Sequence, residues 1–459
     1  LGLKVIIDVQ LNHTADYLEY PSMQYDPPWY RPAPPFDNPE WYHNNPNIIN
    51  FEDPYEAQNY SLGGLDDLAQ ENPECWKALM EAYWKPESNS GWFSYGFAGS
   101  RVDAVVEIPP EYLARYEKHT GKHCFGEAFT GSVQENAFYQ KYLWGMLDYP
   151  LYFQINNAIC LENDWTGIRW VFNQDDLYMH PQQLFCFIDN HDRSRFLANC
   201  ADNVSKLHLA LALIYAARGI PVFYYGTEQH MAGDFKYTEE TINYYNREMM
   251  TGFNVGNRTF AYTQRLNWIR KEYSDILADG DQEELYYRPG DPVYSFKRES
   301  QTGDKSIICV FNNSPVKQSR NIYISRALGK IYTNLLNTNE RFVFEDNVLN
   351  IKIPAYSALL LTSDGIESYI PEKVKRTKIV INYNAGWGNS IYIRGDTLPL
   401  SWNFGQKCDN VHESKWVFEL ERPSCEQIKF KVLINDVVWQ SGEDIEASVG
   451  SEIVIWPQF

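Results

Sequence analysis

The run LKVIIDV at residues 3–9 reads as a continuous apolar segment carrying Asp8 at its end. A strand of that kind has to be covered on both faces, which a parallel sheet flanked by helices does and a two-layer antiparallel sheet does not. From about 65 to 230 short apolar segments then alternate with helix-like ones. The spacing predicts helices near 74–84, 110–119 and 203–217, and strands at 97–105, 122–129, 145–153, 184–189 and 220–225. Such alternation means βα units around a parallel sheet, so the first half of the chain is α/β.

The other segments differ in texture. Residues 14–64 are rich in Pro, Asn and Tyr and have no helical period, and an irregular insertion of that length usually carries function or metal. A closing helix is predicted over 260–278. Residues 285–363 are strand-rich, with alternation read in VYSFKRE, SIICVFNN and YSALLLTS, and GIESYIPEKVKRTK at 365–378 reads as a linker. Over 379–459 the strand pattern returns, with Ile428, Phe430, Val432 and Ile434 alternating, which argues for a small sandwich. A chain of 459 residues is expected to hold two to four such domains.

Charge and cysteine usage exclude several function classes. The chain has 60 acidic against 40 basic residues, a net charge of -20 that repels a phosphate backbone, so nucleic acid is not an expected partner. No apolar run reaches the roughly 18 residues of a membrane span. The 8 cysteines form no CxxC pair, which argues against zinc. Cys124 and Cys186 lie in strand-like runs and read as buried free thiols, whereas Cys408 and Cys425 could pair. The chain opens on Leu without a charged, apolar leader.

Four carboxylates follow apolar strands: Asp8 in DVQLNH, Asp103 in GSRVDAVVE, Glu127 in HCFGEAFTG and Asp192 in FIDNHDRSRF. Taken singly, an Asp or Glu after a strand is most often a turn residue or helix cap. Four in order point instead to the C-terminal rim of a barrel, where active sites of that fold lie. Arg101 stands two residues before Asp103, on the same strand face, where a guanidinium would keep a nucleophilic carboxylate ionised. One carboxylate as nucleophile and a second as proton donor, about 5–5.5 Å apart, are what retaining cleavage of a glycosidic bond requires.

These segments together resemble the α-amylase family. DVQLNH, LDDLA, SRVDAVVEI, FGEAFTG, FIDNHD and GIPVFYYGTEQ match six of its motifs in order, over roughly residues 3–363. The wording FIDNHDRSRF and YYGTEQHMAG, followed by NRE at 246–248, is nearest to fungal-type α-amylases and cyclodextrin glucanotransferases. The resemblance implies a (β/α)8 TIM barrel over 1–13 and 65–284, with the first two strand-helix units missing. It also implies an inserted domain over 14–64, a C-terminal β domain over 285–363, and a β-sandwich module over 379–459, with starch binding and structural support as its two readings. By motif position, Asp103 is implied as nucleophile, Glu127 as general acid/base and Asp192 as the third carboxylate. Arg101 would support Asp103, His13 and His191 would bind the sugar, and Asn12 and Asp67 would hold calcium, an ion suited to oxygen ligands from separate segments. Asp8 is read as support rather than reactant.

The implied function is endo-type hydrolysis of α-1,4-glucosidic bonds in starch and related α-glucans by a secreted, monomeric enzyme. Transglycosylation on the same substrates, or glucan binding without catalysis, are the alternatives. The chain departs from the family at Val106 and Glu107, where most members carry Lys-His, so bond preference and product length are expected to differ. In the terminal module, Trp387, Trp402, Trp416, Trp439 and Trp456 suit either a glucan-binding surface or a core, and Trp387, in the Gly-flanked AGWGNS loop, is the expected exposed ring.

Overall fold

Six parallel strands carry the first half of the chain: β1 (Ile6–Val9), β4 (Gly99–Val102), β5 (His123–Gly126), β6 (Gly145–Leu147), β7 (Leu184–Cys186) and β8 (Ile220–Pro221), paired in that order. Between β1 and β4 the described part of the insertion holds a two-stranded hairpin, β2 (Leu18–Glu19) with β3 (Gln24–Tyr25), a 3-10 turn at Pro39–Trp41 and a short helix, α1 (Pro54–Ala57). The computed structural model describes residues 2–22, 24–25, 31–233, 246–250, 254–363, 375–397, 400–422 and 427–459. Those residues divide into two compact units, one of 1–224, 232–247 and 269–364, the other of 225–231, 248–268 and 365–459.

Helices α2 (Pro73–Tyr83), α3 (Pro110–Thr120), α4 (Val133–Tyr139), α5 (Tyr149–Ile155), α6 (Thr166–Phe172), α7 (Phe196–Asn199) and α8 (Val204–Ala216) intervene between the later strands. Local chemistry sets their starts. Asn72 caps α2 by accepting from Glu74 N and Cys75 N ahead of Pro73, and Asn203 caps α8 by accepting from Ser205 N and Lys206 N. At the far end of α8, Arg270 donates to Tyr215 O and Ala217 O, and Arg298 to Ala216 O, placing positive charge on the negative helix terminus. The strand predicted at 145–153 breaks in the middle. Asp148 accepts from Leu151 N with Pro150 in the first turn, and both favour a helix start, so the strand stops at Leu147 and α5 begins at Tyr149.

The register of the parallel ladder fixes the rim. Val9 pairs with Val102 and Val102 with Gly126, so the residues that follow, Asp103 and Glu127, leave the sheet at one height. Their main-chain N–H groups extend the ladder, Asp103 N to Val9 O at 3.0 Å and Glu127 N to Val102 O at 2.9 Å. Gly99 is required below them, because a Cβ there would strike the His123 carbonyl.

Eight strands over Asp281–Thr362 form one antiparallel sheet. The alternation read in VYSFKRE and SIICVFNN does not correspond to one wet face. Ser306–Asn312 is buried throughout, and Val293–Glu299 at all but its last residue. Val293, Ile308, Val310, Leu359 and Leu361 pack on one face, while Tyr294 and Phe311 meet Trp165 and Phe296 meets Phe172 on the other.

The terminal segment forms a four-stranded and a five-stranded sheet, with Ile379, Ile381, Ile391, Ile393, Ile428, Phe430 and Val432 in one shared core, so the predicted sandwich stands. Residues 375–378, taken for linker, belong to the strand Lys375–Asn382, whereas 364–374 lie outside the described residues. Among the described residues, no helix is long and apolar enough to cross a membrane.

Candidate active site

The predicted carboxylates converge on one guanidinium. Arg101, on β4, is nearly buried and reaches Asp8 at 2.8 Å and Asp103 at 2.5 Å through Nη1, and Glu127 at 2.5 Å and Asp192 at 3.8 Å through Nη2. The sheet explains this. Asp8 is the register partner of Arg101 on the neighbouring strand, while Asp103 and Glu127 are the first residues past β4 and β5.

The same neighbours act on Asp103 and Glu127 in opposite senses. Burial alone would raise the Asp103 carboxyl, but Arg101, together with hydrogen bonds from Glu127 and Gln10, holds it below the ordinary aspartate value. Glu127 is pushed above the ordinary glutamate value, first by burial and further by Asp103, with Arg101 and Tyr149 only partly offsetting them. At neutral pH the pair therefore consists of an ionised Asp103 beside a protonated Glu127.

A cleft of about 750 Å³ opens over them, lined by His13, Asp103, Glu127 and Asp192 and by the apolar side chains of Leu62, Leu65, Val106 and Phe129. His13 lies within 2.9 Å of the Gln10 amide through Nε2, and burial lowers its pKa, which favours the neutral ring. His191 meets Asp192 at 3.0 Å, and Asp192 also takes Arg247 Nη2 at 2.8 Å. Glu107, where the chain departs from the family, also lines the cleft, and burial pushes its carboxyl up to about 7.

Four groups at this site were not assigned roles from sequence. Gln10 donates to Asp103 Oδ2 at 2.5 Å, Tyr149 donates to Glu127 Oε1 at 2.6 Å, Asn190 donates to Tyr149 at 3.0 Å, and Arg247 holds Asp192. Gln10, Asn190 and Arg247 stand inside the quoted motifs DVQLNH, FIDNHD and NRE, so a signal existed. Tyr149 had none, because its segment reads as strand.

Asn12 and Asp67, the predicted metal ligands, are brought together in full burial, at 0% and 1% exposure. Main-chain bonds from Thr14 N to Asp66 O, from Leu68 N to Asn12 O and from His43 N to Asp67 O draw three segments to this point. The side-chain oxygen of Asn12 faces only oxygens, the Glu107 carbonyl at 2.6 Å and Asp67 Oδ1 at 3.2 Å, unless the amide is turned to place its nitrogen there. Three oxygens facing one another without a hydrogen between them, two of them on buried side chains, fit a hard cation. The second Asp67 oxygen is taken by His43 Nδ1 at 2.5 Å. No group of three or more His, Cys, Asp or Glu side chains among the described residues is placed to hold a metal, so such a site would rest on the amide and the carbonyl.

The cysteines include one pairing the sequence did not indicate. Cys160 and Cys200 are joined in a disulfide, Cys124 and Cys186 are buried free thiols as predicted, and Cys425, proposed as partner of Cys408, lies outside the described residues.

Parallel strands that gather carboxylates at their C-terminal ends around one arginine define a barrel enzyme working on a small set of acidic groups. The α-amylase catalytic-domain model matches residues 1–274 and the α-amylase C-terminal all-β domain model residues 287–364, so the chain belongs to the α-amylase family of glycoside hydrolases and transferases. It is 30% identical over 338 residues to a β/α-amylase of Paenibacillus polymyxa, a match covering 70% of this chain and 26% of that protein. A cyclomaltodextrin glucanotransferase of Klebsiella oxytoca is 25% identical over 96% of this chain and 74% of its own length. An α-amylase of Geobacillus thermoleovorans, solved as a complex with acarbose, superposes with a TM-score of 0.65 at 25% identity, covering 78% of this chain and 77% of that one.

Proposed function

We propose that the chain hydrolyses α-1,4-glucosidic bonds within starch and related α-glucans by double displacement. The observation that carries this reading is the Arg101-clamped pair, with Asp103 held ionised and Glu127 held protonated. Asp103 attacks the anomeric carbon while Glu127 gives its proton to the leaving oxygen, forming a glycosyl ester on Asp103. Glu127, now a carboxylate, then takes a proton from water, which attacks the same carbon and releases Asp103. Asp192 grips ring hydroxyls as the sugar flattens, and His191 and the neutral ring of His13 hydrogen-bond the sugar. Two displacements at one carbon restore its configuration. Proton NMR of the first product should therefore show the α anomer, and a β product would sink this mechanism.

Transfer to a sugar hydroxyl instead of water is the second reading. It is supported by the Klebsiella oxytoca relative, which aligns over almost the whole chain, and by the apolar side chains around the cleft, which suit an acceptor sugar. Cyclic or lengthened glucans among the products would favour it.

In either reading, Asn12, Asp67 and the Glu107 carbonyl would hold calcium, which would pin the insertion to the barrel rim. The Cys160–Cys200 disulfide supports an extracellular location.

The terminal module is read as a glucan-binding domain. Trp402 and Trp439 lie with ring centroids 6.4 Å apart and planes within 25°, both partly open to solvent. Arg394 stacks on Trp439 and donates to Trp402 O, bracing the pair, while Trp387 projects alone. Flat apolar rings of this kind stack on the faces of sugars. Retardation of the chain in a starch gel should weaken on Trp439→Ala more than on Trp387→Ala; the reverse order would move the site to the loop.

A further inference from the structure

Arg101 occupies Oε2 of Glu127, and the other oxygen, Oε1, accepts from Tyr149 Oη at 2.6 Å. Tyr149 opens α5 and is completely buried, its ring set among those of Phe129, Tyr152, Phe153 and Phe187. A hydroxyl in an aromatic box is oriented by its protein partners. Asn190 Nδ2 donates to Tyr149 Oη at 3.0 Å, and the Asn190 amide is fixed in that sense because its Oδ1 accepts from Asp192 N at 3.0 Å. With its oxygen already accepting from Asn190, the phenol must direct its own proton at Glu127. The chain of donation runs one way, from Asn190 to Tyr149 to Glu127.

We propose that Tyr149, aimed by Asn190, is the positioning residue of the proton donor: it fixes the Glu127 carboxyl on the rim and stabilises the carboxylate left when the proton passes to the leaving oxygen. The proposal rests on the reading of Glu127 as that donor. Tyr149 keeps its own proton throughout; the bond that breaks is Glu127 O–H and the bond that forms is H–O of the departing sugar. Because Asn190 also holds the main chain of Asp192, one amide ties the donor to the carboxylate that steadies the transition state.

The groups facing Glu127 are Arg101 and Asp103 at the end of β4 and Tyr149 on α5, while Asp192, beyond β7, faces Arg101 and acts on Tyr149. Burial and Asp103 favour protonated Glu127, and Arg101 and Tyr149 favour the carboxylate. Deleting the phenol hydroxyl therefore makes Glu127 hold its proton to higher pH, by about one unit for a hydrogen bond to a charged group.

Tyr149→Phe keeps the ring and removes only the hydroxyl. The Glu127 titration can be followed by carbon-13 NMR of side-chain-labelled glutamate, with the resonance identified by its loss in Glu127→Gln, alongside the alkaline limb of kcat/KM. In Tyr149→Phe both midpoints should rise by about one pH unit, with kcat on starch down roughly tenfold and KM little changed. Asn190→Ala, which frees the hydroxyl without removing it, should shift both midpoints the same way by less. An unmoved Glu127 resonance in folded Tyr149→Phe overturns the proposal. A resonance that moves while the alkaline limb stays put upholds the coupling of Tyr149 to Glu127 and instead overturns the reading of Glu127 as proton donor.

Discussion

Asp103 and Glu127 are chemically alike and differ in what surrounds them. Asp103 takes Arg101 on one oxygen and Gln10 on the other, while Glu127 is more deeply buried and faces the Asp103 charge. Asp103→Asn removes the attacking charge and should abolish turnover on every substrate. Glu127→Gln should spare part of the first step on α-glucosyl fluoride, whose leaving group needs no proton, while starch hydrolysis is lost. Equal loss on both substrates would undo this division of roles. The pH profile follows from the same environment. The proposed mechanism needs ionised Asp103, whose pKa is lowered, and protonated Glu127, whose pKa is raised, so kcat/KM should rise at a pH below the ordinary aspartate range and fall only above the ordinary glutamate range. For the fluoride, the alkaline limb should vanish in Glu127→Gln.

Among the elements, short strands place the chemistry and longer-range ties hold it. β4 and β5 are four residues each, and their register alone sets Asp103 beside Glu127. Asp192 has no such ladder bond; it sits in the loop between β7 and α7 and relies on Asn190, His191 and Arg247. That loop is enclosed by the Cys160–Cys200 disulfide, which joins the residues following α5 and α7 across a sequence separation of 40. Closing a loop of that size stabilises by about 4 kcal/mol in the chain-entropy view. The double variant Cys160→Ala/Cys200→Ala should therefore melt well below the parent, whereas an unchanged melting temperature would mean the loop is held by its hydrogen bonds alone.

At the scale of the whole molecule, the two ends of the insertion return to the barrel rim beside a cluster of oxygens from Asn12, Asp67 and Glu107. If a hard cation binds there, a chelator should lower the melting temperature and calcium should restore it. No change in either direction would leave the turned Asn12 amide, donating to its two oxygen neighbours, as the whole account of the cluster.

Much of this was legible in the sequence. Runs such as LKVIIDV mark the strands, and a carboxylate at the end of each run needs no tertiary contact to be seen. The coverage expected for LKVIIDV on both faces is not found: β1 is the edge strand of the six-stranded sheet, and Leu3, Val5 and Ile6 are exposed. Arg101 and Asp103 share a face by the two-residue repeat of a strand. Tyr149 was hidden, because an apolar run of nine residues reads as strand until one notices that Asp148 and Pro150 open a helix within it. The Cys160–Cys200 pairing was equally out of reach, since spacing does not say which thiols meet. Local pattern thus determined the strands, their order and the acids on the rim, because each depends on residues near in sequence. Which acid keeps its proton, and what aims it, depended on burial and on Arg101, Tyr149 and Asn190 arriving from three different strand-loop units, and only the folded sheet brings those together.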